Sequence, residues 1–236
     1  MKLLRFIIIF FIIISIIIST FCLLLIIKDM KEEVVNEREL VDLEKNVVKE
    51  DNENKAIDWN YLKSINEDIV AWIEIENTSI NYPILKDNDK LYYLKHNFNK
   101  KYNNNGSIFT LNKDFINDKE IVVYGHNMRN NTMFSILGNY LNTNFLKEHQ
   151  IVKIYTENKN YFATIFSCYS IGINEESKNV SKLSYEDRIK YYKNKSNIDI
   201  EDTGKIIKLS TCSYINAKTT PTDQRYYVVA MMKEVE

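Results

Sequence analysis

The chain has 236 residues and a formal net charge of −1, with 31 basic side chains against 32 acidic ones. That balance leaves no basic excess to neutralise a nucleic-acid backbone, and 5 Gly with 2 Pro exclude a collagen-like or linker-dominated protein. Three cysteines, Cys22, Cys168 and Cys212, are too few for a disulfide framework, so a hydrophobic core must hold the fold.

Phe6 to Ile27 is a run of 22 residues, almost all Ile, Phe and Leu, with Ser15, Ser19 and Thr20 as its only hydroxyl side chains. As a helix it spans roughly 33 Å, enough for a bilayer core. Lys2 and Arg5 precede it, whereas Lys28, Asp29, Lys31, Glu32 and Glu33 nearly cancel. The positive-inside rule then places the N-terminus in the cytoplasm and the rest outside. The alternative is a cleaved signal peptide, whose apolar region is about 7–15 residues long and is followed by small residues. This run is longer, and Lys28-Asp29-Met30 is no cleavage site. Ser19-Thr20-Phe21-Cys22 carries Phe where a lipoprotein signal has a small residue. The reading is therefore a signal anchor over 1–27, a charged juxtamembrane helix or stalk over 28–55, and an extracytoplasmic domain over 56–236.

Asp58 to Val70 has a capping residue and apolar side chains at Trp59, Leu62, Ile65 and Ile69, the spacing of a helix. The period then changes. Ala71–Ile75 and Ser79–Leu85 read as strands around the turn Glu76-Asn77-Thr78, followed by a short helix over Leu91–His96, a turn at 103–106 and a strand at Ser107–Leu111. Glu120–Tyr124 is a strand and Met133–Leu141 a short amphipathic helix. Ile151–Thr156 and Tyr161–Ser170 form a hairpin. A long segment over 171–203 carries a helix near 185–195, and Ile206–Thr211 and Tyr226–Met232 are the last strands. About eight short strands with helical excursions predict a mainly β, closed or nearly closed barrel rather than a parallel α/β sheet.

Three chemically able side chains fall at strand ends. Cys212 ends the run Ile206, Ile207, Leu209; His126 follows Ile121-Val122-Val123-Tyr124-Gly125; Arg225 opens the last strand, 13 residues after the thiol. A nucleophile, an acid or base and an oxyanion stabiliser would result if those ends meet. The bland readings are a buried structural cysteine, a structural His and a surface Arg. A Cys168–Cys212 disulfide is a further alternative in an oxidising compartment. The polar stretch after Cys212 favours an exposed thiol. Asp223 is a candidate to orient Arg225. His96 and His149 lie among polar residues and read as solvated. No second His or Cys stands at ligand spacing near any His, which argues against a metal.

These residues resemble a sortase, over most of 59–232. The signature is a TLxTC strand end with an upstream His and a downstream Arg. The chain has Lys208-Leu209-Ser210-Thr211-Cys212, with Lys208 where the family usually has Thr. Ile80-Asn81-Tyr82-Pro83-Ile84, Asp89 to Leu94, Gly106-Ser107-Ile108-Phe109, Tyr124-Gly125-His126-Asn127-Met128 and Met133-Phe134 are similar to class B sortases, as are the N-terminal helix and the long helix-bearing segment. The resemblance implies a closed eight-stranded sortase barrel and a membrane-anchored cysteine transpeptidase. In it Cys212 attacks the Thr carbonyl of an NPxTx-like sorting motif, Arg225 steadies the oxyanion, His126 acts as acid and then base, and Ser210 and Thr211 line the groove. Its partners are secreted surface proteins and a peptidoglycan amine, with no metal or organic cofactor. One rival is a papain-like peptidase, but there the Cys precedes the His and sits near a helix start. Others are a non-catalytic membrane-tethered β-domain that binds cell-wall or surface-protein ligands, and a pilin-polymerising sortase.

Overall fold

The computed structural model describes residues 2–235 apart from 52–53, 89–90, 196–197, 199, 202–203 and 220, so Asp89 and Lys90 of the class B passage lie outside the described residues. The chain forms two compact units, Met1–Leu43 and Glu44–Glu236. The first is made by helix α1 (Lys2–Val47), which continues into the second. Its apolar part reaches a mean hydropathy of 3.1 with none of it buried, and it is long enough to cross a membrane. Residues 28–55 are expected as a juxtamembrane helix or stalk. The helix continues to Val47, and a two-stranded hairpin follows, β1 (Val48–Asp51) with β2 (Asn54–Ile57).

Helix α2 (Trp59–Ile65) begins as expected, with the Asp58 carboxylate accepting the Tyr61 N–H at 3.0 Å. It stops five residues short of the expected Val70. Asn66 is extended, and its side-chain amide donates to the Tyr93 hydroxyl (2.9 Å) and the Phe98 carbonyl (2.8 Å). Tertiary hydrogen bonds override helical spacing there, and Ile69 and Val70 pass into β3 (Ile69–Glu74). The other strands are β4 (Asn81–Lys86), β5 (Ile108–Thr110), β6 (Glu120–Tyr124), β7 (Ile151–Tyr155), β8 (Asn160–Gly172), β9 (Lys205–Cys212) and β10 (Gln224–Glu234). They close into one eight-stranded barrel in the order β10-β8-β7-β3-β4-β5-β6-β9, parallel at β4–β5 and β6–β9 and antiparallel elsewhere. Closure leaves no free edge.

The segment between β8 and β9 holds α4 (Ile173–Val180), unread in the sequence, and the expected helix α5 (Tyr185–Lys193). Ile189 and Tyr192 of α5 pack with Tyr169, Ile206, Tyr227, Val229 and Met231 on the outer face of β8, β9 and β10. Those strands are thus covered on both faces, which accounts for the near-continuous burial of β9 and β10. The short helices expected over 91–96 and 133–141 are 3-10 turns at Tyr92–Leu94 and Ser135–Leu141, and α3 (Thr143–Glu148) is an addition.

Candidate active site

Strand pairing brings the three sequence candidates to one end of adjacent strands. Cys212 is the last residue of β9, and Arg225 lies directly opposite it on β10. The Ser213 N–H donates to the Gln224 carbonyl at 2.9 Å. Antiparallel ladders alternate, so Cys212–Arg225 falls on the step without mutual hydrogen bonds, where side chains stand closest. On the other side of β9 runs β6, with Tyr124 level with Ser210. The Gly125 N–H extends that pairing, donating to the Ser210 carbonyl at 3.1 Å. Two residues beyond Tyr124, past the end of β6, lies His126. The Asn127 side-chain amide donates to the Cys212 carbonyl at 2.7 Å and fastens the two strand ends together. All three candidates are half-buried, with access to solvent.

Gly125 serves by its smallness. A Cβ there would stand 2.4 Å from Ile108 Cδ1 and 2.8 Å from the Phe134 ring, so a side chain would push the His loop off the barrel. The His126 Nε2 lies 2.8 Å from the Leu94 carbonyl. A carbonyl only accepts, so Nε2 carries the hydrogen and Nδ1 is the basic nitrogen of the neutral ring. The Leu94 carbonyl is itself held. Leu91 is left-handed (φ 82°) and the Tyr93 N–H donates to Asp87 Oδ2 at 3.0 Å. Gly106, at φ 57°, packs so closely that a Cβ would meet the Tyr93 and Leu94 oxygens at 2.6 Å.

Arg225 Nη1 donates to the Thr222 carbonyl (3.0 Å) and the Gln224 carbonyl (2.8 Å), and these orient it in place of the Asp223 carboxylate. Among the described residues its other guanidinium N–H groups have no partner. The 213–223 loop is tied at its base, where Ser213 Oγ lies 2.7 Å from Ser170 Oγ and the Thr222 hydroxyl donates to the Ser213 carbonyl at 2.7 Å. Tyr214, next to Ser213, is exposed.

Ser210 and Thr211 are buried, 3% and 2% exposed, and neither faces an open groove here. Alternation puts Ser210 on the thiol's face against Tyr227 and turns Thr211 to the opposite face. Cys168 and Cys212 are free thiols. They pair with opposite sides of β10, at Val228 and Arg225, so two strand spacings, about 9.5 Å, and three residues along the strand, about 10 Å, separate them. That exceeds disulfide reach. Burial pushes the Cys168 thiol up to about 12. His96 is stacked on Tyr92 with ring centroids 3.8 Å apart, a packed rather than a solvated side chain.

The Asn127 amide and the Leu94 carbonyl were not found by sequence reasoning. The only signal for Asn127 in the sequence is its place beside His126; a backbone carbonyl has none.

Comparison with known proteins matches residues 73–233 to the sortase domain family. Sortase B of Listeria monocytogenes is 35% identical over 163 residues, which are 64% of this chain and 65% of the relative. Sortase B of Staphylococcus aureus is 33% identical over 189 residues, 74% of each chain. The structure of its complex with substrate covers 75% of this chain and 85% of that one at 29% identity and a TM-score of 0.64. The crystal structure of Clostridium perfringens sortase B has 36% identity and a TM-score of 0.65, covering 75% of this chain and 99% of that one.

Proposed function

The chain belongs to the sortase family, and we propose that it is a membrane-anchored cysteine transpeptidase of the sortase B kind, with Cys212 as nucleophile. The observation that carries this reading is the strand register, which sets Arg225 opposite Cys212 and runs β6, the strand that leads to His126, along the other side of β9.

In the reaction the Cys212 thiolate attacks the Thr carbonyl carbon of an NPxTx-like sorting motif and forms a C–S bond. The free N–H groups of Arg225 receive the developing oxyanion. Collapse of the tetrahedral intermediate breaks the C–N bond, and His126 gives the leaving amine its proton. The resulting thioester meets an amino group of the peptidoglycan peptide. His126 takes the proton of that amine as it attacks, and the thiolate is released. A free thiol has a pKa of about 8.5, so a cationic neighbour is needed to enrich the thiolate at neutral pH. Nδ1, left without a partner by the Leu94 contact, suits His126 to hold that proton. Ser210 and Thr211 serve by supporting the strand end. The anchor is α1, with the N-terminus cytoplasmic and the barrel outside, where secreted substrates emerge.

The test is cleavage of quenched fluorescent peptides bearing NPxTx and LPxTx motifs by the full chain in detergent, with Cys212→Ala alongside and intact mass recorded. Cleavage by wild type alone, with an acyl adduct on Cys212, is the expected result. A folded protein with a free thiol that cleaves none of them would move the reading to a ligand-binding domain.

A further inference from the structure

Lys208 stands four residues before Cys212 on β9, so alternation puts both side chains on one face, roughly 13 Å apart along the strand. It is the residue at which the chain departs from the family's usual Thr. The lysine side chain is only 6% exposed. Its ammonium lies 3.3 Å from Glu176 Oε1 on α4, 3.5 Å from Glu120 Oε1 on β6 and 3.1 Å from the Tyr192 hydroxyl on α5. The Glu176 carboxylate is buried and that of Glu120 nearly so, 4% and 10% exposed. Glu176 also accepts from the hydroxyls of Tyr169 (2.7 Å) and Tyr191 (2.9 Å). Glu120 accepts from Tyr192 and from Arg188 Nη1, each at 2.7 Å. Two cations and two anions close on one another from β6, β9, α4 and α5, and β8 adds the Tyr169 hydroxyl.

Such a cluster is poorly explained as a device for stability. Apolar side chains of similar volume usually do as well or better, and the best-attested use of buried ions is to select one arrangement over others. The arrangement selected here is that of the α4–α5 segment. That segment leaves the barrel at the rim of the site, where Gly172 pairs with Gln224, the neighbour of Arg225, and the Ile173 N–H donates to the Asp223 carbonyl at 2.9 Å. Glu176 follows three residues later, one turn into α4. The segment is thus fastened twice, by backbone beside Arg225 and by Glu176 on Lys208 below.

We infer that Lys208 is a positioning residue: through Glu176 it holds α4 in place over β9, and so fixes the wall of the peptide groove beside Cys212 and Arg225. What the wall does rests on the transpeptidase reading above, whereas the lock does not.

The test compares the full chain in detergent with Lys208→Met and with the double variant Lys208→Met/Glu176→Gln, which restores charge balance. Three quantities are read: hydrogen exchange of peptides covering 173–183 against a reference over 151–166, the melting temperature, and KM and kcat for the peptide that wild type cleaves best. In the single variant, exchange over 173–183 accelerates at least tenfold with the reference unchanged. KM rises at least fivefold while kcat stays within twofold. The double variant, which carries the test alone if the single one does not fold, regains the wild-type melting temperature but keeps the fast exchange and the raised KM. Exchange and KM returning to wild type together with the melting temperature would reduce Lys208 to a balancing charge and overturn the inference. If wild type cleaves no peptide, the transpeptidase reading and the groove-wall role fall together. Unchanged exchange over 173–183 then sinks the lock as well.

Discussion

At the scale of single residues, the Asn127 amide and the Leu94 carbonyl hold the candidates Cys212 and His126 from far along the chain. Cys212, His126 and Arg225 each stand where a hydrophobic run meets polar residues, a pattern visible along the chain. The groups that hold them act across it. The Asn127 amide reaches 85 residues to the Cys212 carbonyl, and His126 reaches back 32 residues to that of Leu94. Gly106 offers a test of the second contact. Ala there costs about 1–2 kcal/mol in a left-handed conformation, and its Cβ must displace the Leu94 carbonyl. Gly106→Ala should therefore remain folded while kcat falls on the order of tenfold to a hundredfold, read from steady-state kinetics beside a thermal melt. Unchanged kcat would show that His126 needs no help from that carbonyl. The cysteines make a second test. Cys168 and Cys212 are both partly exposed, but desolvation pushes the Cys168 thiol up to about 12. Iodoacetamide at pH 7.5 should alkylate Cys212 and spare Cys168 in the folded protein, as mapped by digest and mass spectrometry. Labelling of both at similar rates would contradict the barrel packing around β8.

At the scale of elements, the sequence reading succeeded where one hydrophobic period governs a segment. Glu120–Tyr124 and the β7–β8 hairpin follow from alternation and a polar turn. It failed where partners far along the chain decide. The α4 residues are mostly polar, and Glu176 is buried only because Lys208 and two tyrosines meet it. The early end of α2 has the same origin. Trp59, Leu62, Ile65 and Ile69 keep a helical spacing, yet Asn66 gives its amide to Tyr93 and Phe98 and turns the chain into β3. Replacing Asn66 with Ala leaves a buried hydroxyl and a carbonyl without that donor, and an unsatisfied buried polar group costs about 1–3 kcal/mol. The urea midpoint of Asn66→Ala should fall by that amount divided by the m-value. A midpoint within error of wild type would mean that this amide does not hold the boundary.

For the whole molecule, the near-zero net charge conceals carboxylates whose ionisation the fold depends on. Burial raises the pKa of Glu120, but the Lys208 charge, the Arg188 and Tyr192 hydrogen bonds and the Arg188 charge together hold it below the ordinary value of 4.5. Asp68 behaves alike: desolvation raises it, and the Tyr93 hydroxyl and Lys100 outweigh that and lower it from 3.8. A carboxylate whose folded pKa is depressed binds its proton more readily in the unfolded chain. Its stabilising contribution is complete above the unfolded value and disappears as pH falls through the folded one. Stability should therefore change little on account of these groups from pH 7 to about 5 and fall progressively below about 4.5. The fall should be partly flattened in Glu120→Gln, which cannot take up that proton. Urea unfolding followed by the fluorescence of Trp59 and Trp72, at steps between pH 7 and pH 3, reads this directly. A midpoint that holds steady or rises down to pH 3 would mean that the clusters around Glu120 and Asp68 stay intact when protonated. The ion pairs would then contribute only geometry, and the hydrogen bonds from Tyr192 and Tyr93 would suffice to keep α5 and the Tyr92–Leu94 turn, and with them both flanks of the site, in place.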